Sequence, residues 1–114
     1  MTYQMLINGQ LVNGVSTFEV LNPATKSVIT AAPQASVEQL DEAVAAARSA
    51  FPAWSALTYQ ERRTKLLALA DAIEANSADL IETLTKEQGK PLKGFFDMGA
   101  GFEFGGTLAW IRGT

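Results

Sequence analysis

The feature that most constrains this chain is its apolar C-terminal stretch, residues 91–114, which holds four of the six phenylalanines and one of the two tryptophans. On a helical wheel at about 100° per residue, Phe95, Met98 and Phe102 fall on one side. Phe104, Leu108 and Ile111 fall on the other. A helix that is apolar all round is buried all round. Nothing before residue 91 is large enough to wrap it, so the sequence reads as the front of a longer protein. The expected helix runs over 91–111, with Pro91 suited to its first turn.

The sequence divides before that point into a strand-forming third and a helical middle. Met5-Leu6-Ile7, Asn8-Gly9 and Gln10-Leu11-Val12 form a hairpin signal, because Asn and Gly tolerate the positive φ angles of a two-residue type I′ turn. Asn13-Gly14 turns the chain again. Phe18-Glu19-Val20-Leu21 and Ser27-Val28-Ile29-Thr30 flank a second turn, 22–26, in which Pro23 biases Asn22 toward extended geometry. Two small antiparallel ribbons result, marginal on their own.

Ser36-Val37-Glu38-Gln39 and Thr58-Tyr59-Gln60-Glu61 are capping boxes, each opening a helix. The first helix carries a stripe of Val37, Leu40, Val44, Ala47 and Phe51, with Pro52 as its expected stop. The second carries Leu66, Leu69, Ala70 and Ile73. A break at Asn76-Ser77 starts a third, with Leu80, Ile81 and Leu84, and Gly89 suits its C-terminal cap. The expected fold is an α+β fragment: hairpins over 1–33, then three to four packed helices over 36–114, forming one compact unit.

Composition narrows the chemistry. A net charge of −3 argues against nucleic acid as partner, and no apolar run approaches the length of a membrane span. With no basic-then-apolar leader, a cytoplasmic protein is expected. The absence of Cys and His removes thiol nucleophiles, the usual general base and the commonest metal ligands, so no catalytic and no metal residue is assigned. Gly99-Ala-Gly101-Phe-Glu-Phe-Gly105 imitates a dinucleotide fingerprint, but its third glycine comes one place late and no strand precedes it. Gly94, Gly101 and Gly105 are instead expected to let a buried helix approach its neighbours. Glu38, Asp41 and Glu42 on the first helix, and Glu61, Asp71 and Glu74 on the second, suit solvent faces and first turns. Glu103 and Asp97 differ, because they lie in apolar sequence and call for a partner. Lys86-Glu87-Gln88-Gly89-Lys90-Pro91-Leu92 reads as a helix exit with a cation near the negative helix end.

Five strings in order resemble the N-terminal segment of the aldehyde dehydrogenase superfamily. They are Ile7-Asn8-Gly9; Asn22-Pro23-Ala24-Thr25; Ala47-Arg48-Ser49-Ala50-Phe51-Pro52-Ala53-Trp54; Glu61-Arg62 leading into the second helix; and Glu87-Gln88-Gly89-Lys90-Pro91-Leu92. The resemblance implies a subunit with an α/β nucleotide-binding domain, a catalytic domain and an oligomerisation ribbon. Such a subunit oxidises an aldehyde to an acid with NAD or NADP through a cysteine nucleophile. It also implies that Met98 and Phe102 line the substrate tunnel; plain core packing is the competing role for both. The nucleophile, the glutamate base and the cofactor site lie downstream in the family, so this segment is expected to bind no cofactor and to be inactive alone. Its expected partners are the missing catalytic domain or a second copy through the apolar helix. The alternative is an independent, non-enzymatic interaction module that presents that helix to another protein.

Overall fold

The computed structural model describes residues 3–94, 96 and 98–114. The elements are strands β1 (Met5–Ile7), β2 (Gln10–Val12), β3 (Ser16–Leu21) and β4 (Val28–Gln34), then helices α1 (Val37–Ser55), α2 (Tyr59–Ala75), α3 (Ser77–Gln88) and α4 (Ala100–Gly113). The α+β character and both hairpins follow the sequence. Contacts gather into two units, however, in place of the single one expected. One takes residues up to 21 with 28–56, and the other takes 22–27 with 57–114.

In the first unit β1 and β2 pair antiparallel with Leu6 opposite Leu11, and β3 pairs with β4. Asn8 and Gly9 take φ of 51° and 76°, the left-handed pair that a type I′ turn needs. Both serine and glutamine arms of the capping box on α1 are formed. The Gln39 amide reaches past its own box to the Asn13 carbonyl at 2.9 Å, tying the first hairpin to the helix start.

Pro52 does not stop α1; it lies inside the helix. Its missing N–H leaves only one carbonyl without its helical partner. The Ala56 amide and the Ser55 hydroxyl both donate to Pro52 O, at 3.1 and 3.0 Å, and carry the helix one turn further. The apolar stripe on α1 faces outward, with Val37 70% and Phe51 63% exposed. The half-buried positions of α1 are Gln39, Ala43 and Ala46.

In the second unit α4 packs on α2 and α3. The core is small: among the described residues only Ala70, Ala100 and Leu108 are buried hydrophobics. Arg112 adds polar fastening, bonding Asp71 at 3.0 Å and Glu74 at 2.6 Å, and the Tyr59 hydroxyl donates to Thr114 O. The Thr58–Glu61 capping box is complete, and Gly89 caps α3 at φ 70°.

The helix expected over 91–111 begins later, at Ala100. The Ala100 amide donates to Pro91 O at 2.9 Å, and Gly99 lies so close to Leu92 that a Cβ would stand 2.3 Å from its carbonyl oxygen. This backbone-to-backbone closure holds Pro91, Leu92 and Gly99 out of the helix, and periodicity carries no trace of it.

Candidate functional site

Two of the distinctive sequence strings meet at the α3–α4 junction. The loop 22–27 is built on Asn22, whose Oδ1 accepts from the amides of Ala24 at 2.9 Å and Thr25 at 3.3 Å. This Asx turn, with Lys26 at φ 62°, projects Pro23. A Cβ on Gly89 would sit 2.9 Å from Pro23 Cγ. Gly89 is thus required twice, for its left-handed φ and for the proline ring against it.

Beyond Gly89 the chain folds back on itself. Lys90 Nζ forms an ion pair with Glu103 Oε2 in the first turn of α4. The partner that Glu103 called for is therefore Lys90, and both side chains keep contact with solvent. Asp97 and Phe95 lie outside the described residues. A Cβ on Gly94 would come within 2.6 Å of Met98 O, so a second glycine permits close backbone approach inside the loop.

Met98 and Phe102 flank the start of α4: Met98 precedes the N-cap Gly99, and the Phe102 amide closes the first turn on Gly99 O at 3.1 Å. They are 52% and 65% exposed, so neither packs in a core within this chain. The rest of that helix face is open too. Trp110 is 82% exposed, beside a depression of about 320 Å³ lined by Ala109, Trp110, Gly113 and Thr114.

Two of the three glycines expected to bring this helix against neighbours do not do so. A Cβ on Gly101 or Gly105 would meet nothing within 4 Å. They lie on the open face, whereas Ala100 and Leu108 face the core. Gly99 makes the tightest approach of the segment. The one available signal was its position between the Gly-Lys-Pro turn and the apolar run.

The carboxylates are employed locally. The Glu38 carboxyl is held below its ordinary value by its own backbone amide and the Ser36 hydroxyl, and Glu61 by the Thr58 hydroxyl and amide. Glu82 is lowered by Lys86 at 2.5 Å, an i,i+4 pair. Arg112 is raised by Glu74 and Asp71. Each of these carboxyls moves away from the near-neutral value a general base requires. Among the described residues no cluster of three His, Cys, Asp or Glu could hold a metal.

The glycine-rich string does not fit a dinucleotide. It lies in the N-cap and body of α4, and α3 rather than a strand precedes it, so the strand–turn–helix cradle for a pyrophosphate is absent from these residues. In the first unit an open groove of about 500 Å³ runs between the first hairpin and α1, with Ile7, Val12 and Ala46 in its walls. Asn8, Gln10, Glu42 and Ser49 are its polar members. No helix among the described residues is long and apolar enough to cross a membrane.

Comparison with known proteins gives a consistent result. The sequence profile described as "Aldehyde dehydrogenase family" matches residues 11–100. A non-phosphorylating aspartate-semialdehyde dehydrogenase of Halomonas elongata is 43% identical over 101 residues, covering 84% of this chain and 20% of the relative. A glutarate-semialdehyde dehydrogenase of Pseudomonas putida is 41% identical over 91 residues, 78% of this chain and 19% of the relative. The crystal structure of PnpE in complex with nicotinamide adenine dinucleotide superposes with a TM-score of 0.84 at 38% identity, over 98% of this chain and 23% of that one. The chain therefore spans about a fifth of the length of the relatives it matches.

Proposed function

Because the chain belongs to the aldehyde dehydrogenase family, we propose that it is the N-terminal portion of an NAD(P)-dependent enzyme oxidising an aldehyde to a carboxylic acid. The observation that carries this reading is the family match over residues 11–100, joined to a fold likeness over nearly the whole chain. The outward apolar faces of α1 and α4 support it. Contiguous exposed apolar surface marks an interface, and here the proposed cover is the catalytic part of the same subunit.

In this role the segment does no chemistry. Cysteine attack on an aldehyde needs a thiolate, and the chain has no Cys. NAD or NADP, bound by residues outside this segment, would accept the hydride. The contribution of these residues is to shape the site: Met98 and Phe102 supply apolar wall to the aldehyde tunnel. The location is the cytoplasm, and the assembled subunit is oligomeric.

The exposed Phe102 and Trp110 favour a second reading, a non-enzymatic module that docks this face on a partner or on a second copy. Joining residues 1–114 to the downstream part of the glutarate-semialdehyde dehydrogenase separates the two. On the first reading the joined protein reduces NAD or NADP in the presence of aldehyde, and the isolated chain does not. A folded but inactive joined protein, with the isolated chain in a defined complex, would favour the second.

A further inference from the structure

Residues on the two sides of the α3–α4 junction close on one another, and Pro23, far off in sequence, braces them. At its base the Ala100 amide donates to Pro91 O at 2.9 Å. Gly99 lies against the Leu92 carbonyl and Gly94 against the Met98 carbonyl, both too near for any side chain. Outside this neck stands the Lys90–Glu103 ion pair, one partner just before the closed stretch and the other just after it. Within the stretch Phe96 holds φ at 57°, a conformation that bulky side chains rarely adopt. On the other side of the turn Pro23 packs on Gly89, so the backbone leading into Lys90 is fixed as well.

The backbone contacts close the neck but leave the first turn of α4 without a side-chain cap, since Gly99 has none to offer. The amides of Phe102 and Glu103 both point back to Gly99 O, at 3.1 and 3.3 Å. Glu103 is the acidic residue of that first turn, and Lys90 is the cation that meets it across the neck. An acid at a helix N-terminus suits the dipole wherever its side chain points. Among the described residues, Lys90 is the partner that gives that side chain a fixed direction.

From this geometry we infer that Lys90 and Glu103 are positioning residues: their ion pair clasps residues 91–94 and 98–99 to α4 and sets where Met98 and Phe102 stand. The inference depends on the function proposed above only for its consequence on substrate. With side chains 38% and 46% exposed, the pair is screened by solvent and contributes little to global stability. Its effect is on the placement of two apolar side chains, one on each side of Gly99.

The test begins with amide exchange at Ala100 and Phe102 in the 114-residue chain. Lys90→Glu, or the milder Lys90→Gln, should speed exchange at Ala100 by about two- to fivefold, the reach of a pair this exposed. The difference should shrink in high salt. Lys90→Glu combined with Glu103→Lys should bring exchange back to the parent rate. In the joined enzyme Lys90→Glu should raise KM for bulky apolar aldehydes with kcat retained, and the reversed pair should recover it. Unchanged exchange in the single variants, failure of the reversed pair to recover it, or an unmoved KM in an active joined enzyme would each overturn the clasp. A joined protein already inactive without substitution counts against the proposed function alone, and the exchange rates still decide the clasp.

Discussion

Two glycines six positions apart in the chain should respond to alanine with opposite signs. Gly105 sits mid-helix on the open face of α4, and a Cβ there meets nothing within 4 Å. Replacing glycine by alanine in an exposed helix interior gains about 0.8–1.0 kcal/mol. For a domain of this size 1 kcal/mol corresponds to about 4–8 °C in Tm, so Gly105→Ala should raise the melting temperature of the isolated chain by several degrees. Gly99 has the reverse setting, since its added Cβ would stand 2.3 Å from Leu92 O and 2.6 Å from Pro91 O. Those are backbone atoms that cannot swing aside, and overpacking of this kind costs about 1–3 kcal/mol. Gly99→Ala should therefore lower Tm and loosen the Ala100–Pro91 bond. Thermal unfolding followed by circular dichroism across a dilution series reads both. A Gly105→Ala chain that melts lower than its parent would refute the placement of that face in open solvent. In the joined enzyme the sign for Gly105 should reverse, because the downstream part would then lie against it.

Four further outcomes follow from the same geometry. Phe102→Ser with Trp110→Ser should raise the monomer fraction of the isolated chain in size exclusion with light scattering; unaltered association would clear this helix face of responsibility. Ser36→Ala and Thr58→Ala should each cost about 1 kcal/mol in urea unfolding through loss of the N-cap bond, and no loss at either would mean the cap is idle. Glu61 has a carboxyl value lowered below 4.5 when folded, so its stabilising contribution is full above that pH and fades as pH falls through the lowered value. Glu61→Gln should flatten the acid side of the stability profile, and an identical acid limb would argue against the Thr58–Glu61 contact. Arg112→Met should speed amide exchange in the last turn of α4 by removing its bonds to Asp71 and Glu74; protection as in the parent would show that apolar packing alone holds that end.

The parts of the fold legible in the sequence are those set by contacts three or four residues apart. Asn8-Gly9 specifies its turn through backbone preference, and Ser36–Gln39 and Thr58–Glu61 specify helix starts through reciprocal bonds. Gly89 specifies an end in the same way. The start of α4 was not legible, because it depends on Gly99 meeting Leu92 and on the Ala100 amide finding Pro91 O, neither of which has a periodic signature. Pro52 misled for a related reason: near a helix end a proline removes one bond, and the next turn still closes. The stripe on α1 marked a helix correctly, but it faces outward here. For the candidate site, Glu103 announced its need for a partner by standing in apolar sequence, while nothing local pointed to Lys90. Met98 and Phe102 came from family resemblance, and their exposure fits a wall completed by other residues as well as it fits a docking face.

The claim at the centre is that the open face of α4 is interior surface of a larger dehydrogenase subunit. Hydroxyl-radical footprinting of Phe102 and Trp110 tests it most directly, comparing the isolated chain with the same residues joined to the catalytic part of a relative. Both side chains should react readily in the isolated chain, where they are 65% and 82% exposed, and become strongly protected in the joined, active enzyme. Equal reactivity of Trp110 in the two proteins would contradict it, and would leave that face as a surface meant for some other partner.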